Sequence, residues 1–229
     1  MGYCQLMKLI NIYNEIAPVY DSFYKSPRHF VEEEIIATFL PDMGKAESVL
    51  DIGCGTGNMI SVGQLHPKSY YGIDISSEML KSATEKYPDY TFAQADGSDM
   101  VLHGCWDLVL TIFGQLNYMG LANWCESMIQ NMHHDEYAVN QKARFLSVMY
   151  SSDYRPDYLD SQASGYTPEY IKRILHENGL ACKIWGLSYP LPMEENMDFA
   201  SLLDTQTHLT NSGDLTGCRY WIIEGGWLR

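Results

Sequence analysis

Positive charge is scarce in this chain. Fifteen Lys and Arg stand against twenty-nine Asp and Glu over 229 residues, a formal net charge of -14 at pH 7. A protein that grips a nucleic-acid backbone needs a basic groove to displace condensed counterions, and here no basic run exists. The acidic field therefore argues against nucleic acid and anionic membrane as partners and favours neutral or cationic molecules. Paired cysteines are also lacking. Cys4, Cys54, Cys105, Cys125, Cys182 and Cys218 are scattered without a C-x-x-C, which fits reduced thiols rather than a disulfide framework or a zinc site. No apolar run approaches the ~20 residues that span a bilayer. The start lacks the Ser or Thr at position six that myristoylation uses, and Asn11, Asn14 and Glu15 interrupt its apolar stretch. The expectation is a cytoplasmic chain. No repeat, linker or low-complexity tract divides it, so it reads as one domain over 1–229, long enough for a sizeable α/β core.

What is present centres on Val49-Leu50-Asp51-Ile52-Gly53-Cys54-Gly55-Thr56-Gly57. An apolar strand ends in an acid, meets three glycines at alternate positions and runs into a short helix. Glycine alone tolerates positive φ and has no Cβ, so the chain can turn sharply and expose bare backbone to a ligand. This is the ligand-binding corner of a βαβ unit, at the carboxyl ends of parallel strands. A dinucleotide-binding dehydrogenase is one reading, with Asp74 as its downstream acid. Its G-x-G-x-x-G fingerprint needs the third glycine one position later, and Asp51 would repel a pyrophosphate. An ordinary glycine turn in an α/β core is the other alternative.

Asp51 to Gly57 resembles the first motif of class I S-adenosylmethionine-dependent methyltransferases. Tyr71-Gly-Ile-Asp74-Ile-Ser-Ser-Glu-Met79-Leu80 resembles the second, Phe92-Ala-Gln-Ala-Asp96-Gly97 the third, and Trp106 to Phe113 the fourth strand. Four elements in the right order weigh far more than one glycine cluster. The resemblance implies a Rossmann-like, doubly wound seven-stranded sheet, mostly parallel with a C-terminal antiparallel strand. It also implies S-adenosylmethionine as cofactor, S-adenosylhomocysteine as its product, and a small-molecule acceptor. Asp51 suits a cofactor carrying an ammonium and a sulfonium. Gly53, Cys54, Gly55 and Gly57 form its turn, Asp74 is placed to accept the ribose hydroxyls with Ile75 beside it in the cofactor set, and Met79 lies either near the adenine or simply in the core. Asp96-Gly97 is placed like the acid that accepts the adenine amino group, although it also reads as a turn dipeptide. Thr111, on the fourth strand, completes the cofactor set.

Before this core, Tyr13-Asn-Glu-Ile-Ala17-Pro-Val-Tyr20-Asp21 resembles a segment that folds over the cofactor in many small-molecule methyltransferases. Tyr13 and Tyr20 are thus either closing residues of a lid over about 1–40 or plain packing aromatics. Apolar Val31, Ile35, Ile36, Phe39 and Leu40 predict a helix over 29–40 that covers one sheet face. Strands are predicted over 48–52, 70–75, 90–95, 107–112, 143–150, 181–188 and 219–224, with helices over 121–132 and 167–178. The 189–218 connection is predicted to lie across the ligand edge like a second lid. His133-His134-Asp135-Glu136 reads more simply as cations at a helix C-terminus than as metal ligands, so no metal is expected.

Acceptor chemistry is less constrained. The loop 112–119 is weakly similar to that of sugar-amine N-methyltransferases, and the rim acids and tyrosines (Asp153, Tyr154, Asp157, Tyr158, Glu194, Glu195) suit an amine. Phenol, carboxylate and carbon acceptors stay open, as does a catalytically silent cofactor-binding module. Tyr118 is the expected acceptor contact, and His208, in the connection, the reserve candidate for a base.

Overall fold

The computed structural model describes residues 3–40, 46–66, 70–98, 106–113, 118–132, 143–151, 166–191 and 196–228. Seven strands form one sheet in the order β3-β2-β1-β4-β5-β7-β6. They are β1 (Val49–Ile52), β2 (Tyr70–Asp74), β3 (Thr91–Gln94), β4 (Leu108–Thr111), β5 (Arg144–Tyr150), β6 (Leu180–Leu187) and β7 (Tyr220–Trp227). The first five pair in parallel, and β7 is inserted antiparallel between β5 and β6. The strand order reverses between β1 and β4, which opens a crevice at their carboxyl ends.

Each face of the sheet is covered. On one, Trp124 and Met128 of α5 (Leu121–Asn131) and Ile171 and Leu175 of α6 (Pro168–Glu177) pack on Leu50, Ile52 and Phe145. On the other, Val31, Ile35 and Ile36 of α2 (Pro27–Thr38), Met59 of α3 (Asn58–Val62) and Leu202 of α7 (Phe199–Ser212) pack on Val49, Leu110 and Val148. Helices α4 (Ser77–Lys86) and α1 (Tyr3–Ile16), the latter continued by a 3-10 turn over Ala17–Tyr24, sit beside the crevice. At the opposite end, Asp107 accepts from the Glu47 and Ser48 amides at 3.0 and 3.1 Å, a structural clamp remote from the ligand edge.

Strand β7 runs three residues beyond its predicted end. Gly225 and Gly226, just past that predicted end, stay in register with Phe145 and Arg144 of β5 and with Cys182 and Ala181 of β6. A Cβ on Gly225 would collide with the Phe145 ring and the Ala181 carbonyl, so glycine there permits close packing instead of ending the strand.

The 189–218 connection differs from the expected lid in its described part. It folds into α7, which lies against α2 and β6. The buried Gln206 amide donates to the Tyr189 carbonyl at 2.6 Å and accepts the Tyr189 amide at 2.8 Å, fixing the helix to the chain leaving β6. The segments holding His133 to Glu136, Asp153 to Asp160, and Glu194-Glu195 lie outside the described residues. No helix among the described residues is long and apolar enough to cross a membrane.

Candidate active site

A cavity of about 640 Å³ occupies the crevice. Its floor is the glycine turn. The Gly53 and Cys54 amides both donate to the Ile73 carbonyl, at 2.7 and 2.9 Å, anchoring the turn to β2 as β1 ends. Gly53, Gly55 and Gly57 adopt φ of 73, 52 and 81°, values that side chains strain against. Nothing lies within 4 Å of a Cβ placed on Gly55, so the turn presents bare backbone to open space.

Two carboxylates define the electrostatics. Asp51 is 1% exposed and accepts from the Tyr70 hydroxyl at 2.8 Å. Burial, aided by the nearby Asp74 charge and opposed by the Tyr70 hydrogen bond, pushes its carboxyl up to about 7. Asp74 accepts the Gly55 amide at 2.9 Å on one oxygen and the Ser76 amide at 2.8 Å on the other. Burial raises its carboxyl as well, against the lowering effect of those amides. A carboxylate has about four lone-pair sites, so Asp74 keeps acceptor capacity for a diol while it ties β2 to the turn.

The N-terminal segment forms the opposite wall, where Leu6, Leu9, Tyr13, Tyr20 and Tyr24 line the cavity. It is fastened at three points. The Ser76 hydroxyl donates to Asn14 at 2.7 Å, Asp21 accepts from Thr56 at 2.5 Å and pairs with Lys86 at 2.7 Å, and the Tyr13 and Tyr118 hydroxyls meet at 3.2 Å. Burial raises the Tyr13 and Tyr20 phenols well above their ordinary range, so both stay neutral donors.

Of the sequence-predicted residues, Tyr13, Tyr20, Asp51, Gly53, Cys54, Gly55, Asp74, Ile75, Met79, Asp96, Gly97 and Tyr118 all line this one cavity. Three do not. Gly57 caps α3 and abuts the Tyr87 ring, 3.0 Å from a Cβ there. Thr111 is fully buried under α5, accepting the Trp124 indole N–H at 2.9 Å, so it is a core partner and not a cofactor contact. His208 is exposed on α7, away from the cavity. Gln115 and Asn117 lie outside the described residues.

The structure brings in residues that the sequence reading missed. His29, Glu32 and Glu33, all on the first turns of α2, line the cavity beside Tyr24 and Phe30. Glu33 accepts from the Asn58 amide group at 2.6 Å. Glu32 is 3% exposed, and burial raises its carboxyl although Ser188, Arg28 and Arg219 pull it down. The signal was available in the spacing. A helix leading into β1 runs opposite to it, so its N-terminal turns reach the ligand edge, and positions 29, 32 and 33 share a face. Among the described residues no cluster of His, Cys, Asp and Glu has metal-binding geometry.

A family model described as a methyltransferase domain matches residues 49–134. An N,N-dimethyltransferase acting on dTDP-3-amino-3,4,6-trideoxy-alpha-D-glucopyranose, from Streptomyces venezuelae, is 30% identical over 106 residues, 45% of this chain and 45% of that protein. A ubiquinone/menaquinone biosynthesis C-methyltransferase of Campylobacter jejuni is 31% identical over 110 residues, 42% and 46% of the two chains. The matched stretch is thus less than half the length of either relative. The magnesium protoporphyrin IX methyltransferase of Synechocystis, solved with S-adenosylhomocysteine, superposes with a TM-score of 0.63 at 15% identity, over 97% of this chain and 99% of that one. That identity speaks for the fold alone. The matched segment 49–134 is thus similar to a methyltransferase domain, and the sheet order has the fold of solved S-adenosylmethionine-dependent methyltransferases.

Proposed function

We propose that the chain transfers a methyl group from S-adenosylmethionine to an amine on a small-molecule acceptor. One observation carries the cofactor half: two buried carboxylates, Asp51 and Asp74, face a cavity floored by bare glycine backbone, with no cation recorded against Asp51 among the described residues. Such a site disfavours a pyrophosphate and favours a molecule with a cationic end and a diol. Asp74, Ile75, Met79 and Asp96 would hold the nucleoside, and Asp51 and the turn the amino-acid end. When bound, S-adenosylmethionine supplies an electrophilic methyl on a sulfonium leaving group. The chain's own contribution is to bind, to orient the acceptor lone pair and to exclude water. Tyr118 and Tyr13, a hydrogen-bonded hydroxyl pair on the wall, supply orienting hydrogen bonds.

The amine reading rests on the second half of the cavity. Glu32, Glu33 and Asp21 put carboxylates there, and Tyr20 and Tyr24, with ring centroids 5.0 Å apart, add an aromatic face. Carboxylates and aromatic faces both attract ammonium groups. The Streptomyces relative, whose name specifies an amino sugar, supports an amine, while the Campylobacter relative of similar identity is a C-methyltransferase.

Calorimetry is the direct test. S-adenosylhomocysteine should bind at one site per chain, and NAD should not compete for it. Tighter binding of the dinucleotide would overturn the methyltransferase reading. Cofactor binding without S-adenosylhomocysteine formation in the presence of any amine would leave a silent binding module. RNA and DNA should fail to bind even at low salt, given the charge of -14.

The N-terminal wall gives a separate expectation. Its fastenings are few and partly exposed, with the Lys86–Asp21 side chains 34% and 46% accessible, so that pair contributes at most about 1 kcal/mol. Ligand contact through Tyr13 and Tyr20 should therefore add measurably to its stability. Amide exchange over residues 9–24 should slow when S-adenosylhomocysteine is added. Unchanged exchange there would make these tyrosines packing residues and not part of a closing lid.

A further inference from the structure

His29 is the one histidine among the described residues that lines the cavity. It stands one turn before Glu32 on α2, and its ring meets Tyr24 edge-on at a centroid distance of 5.1 Å. Its Nδ1 lies 2.8 Å from the Ser26 hydroxyl oxygen, the same oxygen that caps the helix by accepting the His29 amide. That contact fixes the ring and occupies one nitrogen, leaving Nε2 without a hydrogen-bond partner among the described residues.

Resting on the amine-methylation reading, we propose that His29 is the general base of this site, with Nδ1–H donating to Ser26 and Nε2 receiving the acceptor's proton. The acceptor enters as an ammonium, which has no lone pair. Nε2 takes one N–H proton, and the freed pair forms the new N–C bond as the C–S bond breaks with its electrons to sulfur. The ammonium and sulfonium charges end on the methylated ammonium and on the His29 imidazolium, which returns its proton to water. Protons, electrons and charge balance without a further reactant.

The surroundings suit this role. Burial and the positive charges of Arg219 and Arg28 hold the His29 imidazole below its usual range, so it is neutral at pH 7. Arg28 lies on its own helix, and Arg219 immediately precedes β7. The other charged groups on the same wall are Lys25, Glu32 and Glu33, with Asp21 in the 3-10 turn. The two carboxylates of α2 would hold an ammonium, while the imidazole can take a proton that the guanidinium groups of Arg28 and Arg219 cannot. His208, exposed on α7, has none of this geometry.

Nitrogen NMR on the protein loaded with S-adenosylhomocysteine tests the assignment without needing the natural acceptor. At pH 7 the His29 ring should be neutral, with its proton on Nδ1 and Nε2 bare, and its titration midpoint should fall below the ordinary histidine value. An Nε2–H tautomer, or an imidazolium at pH 7, would overturn the proposal. Ethylammonium should then shift the Nε2 resonance. If ethylammonium leaves it unmoved and phenol shifts it, the base stands and the amine reading falls. If neither moves it, His29 is not the base. His29→Asn should leave S-adenosylhomocysteine affinity within about twofold, and a larger loss would assign the ring to the cofactor instead.

Discussion

Replacing Asp74 with alanine should weaken S-adenosylhomocysteine binding by about 10- to 100-fold, corresponding to about 1.5–3 kcal/mol for hydrogen bonds to a charged acceptor. Two losses combine. One is the acceptor for the ligand's hydroxyls. The other is the tie between β2 and the glycine turn, because the Gly55 and Ser76 amides, at 2.9 and 2.8 Å, would lose their carboxylate partner. Asp74→Asn should fare little better than alanine, since one of its two terminal atoms becomes an N–H₂ facing a backbone N–H. Isothermal calorimetry on the two variants checks both statements. Wild-type affinity in Asp74→Asn would show that only one oxygen matters and would remove Asp74 from the ribose-binding role.

The legibility of this site in the sequence follows the same division between strand ends and helix faces. Asp51, Asp74 and Asp96 were readable because each ends or directly follows an apolar strand, and parallel strands deliver their carboxyl ends to one crevice. Thr111 also ends a strand, yet it points the wrong way. Side chains alternate along β4 and beyond, so Ile112, which lines the cavity, places Thr111 on the opposite face, beneath Trp124. There the hydroxyl serves an indole N–H that needs a partner once buried. A count of alternation, applied to the strand end, would have separated the two.

Helix α2 misled for a different reason. Its stripe Val31, Ile35 and Ile36 announced a core-facing helix, and that is what it is. Its polar residues carried no motif, and charged groups on a surface helix usually face solvent. Here Glu32 is buried beside Arg28, Ser188 and Arg219, and His29, edge-on to Tyr24, is half-buried at the cavity. The choice of His208 failed by the complementary route. A loop expected to span the ligand edge instead forms α7, held to α2 and β6 by Leu202 and Gln206.

The protonation of Asp51 gives the second large effect, because stability and ligand affinity respond to it in opposite directions. Its folded carboxyl, near 7, lies well above the ordinary unfolded value of about 3.9. The folded chain therefore binds more protons than the unfolded chain between pH ~4 and ~7. Stability of the cofactor-free protein should fall as pH rises across that window and level off above it. Asp51→Asn removes the titration, and its amide oxygen can still accept the Tyr70 hydroxyl that now bonds the carboxylate at 2.8 Å. Without ligand, the variant should be more stable than wild type at pH 8 and differ least at pH 5. A cationic ligand reverses the preference, since it favours the ionised carboxylate. Wild-type affinity for S-adenosylhomocysteine should thus climb up to about tenfold per pH unit below 7 and plateau above, with binding at pH 6 releasing close to one proton. Calorimetry in two buffers of different ionisation enthalpy measures that proton directly. In Asp51→Asn both the release and the slope should vanish, with affinity at pH 8 reduced about tenfold or more. A flat wild-type affinity between pH 5.5 and 8 would mean that the ligand's positive charge does not lie against Asp51.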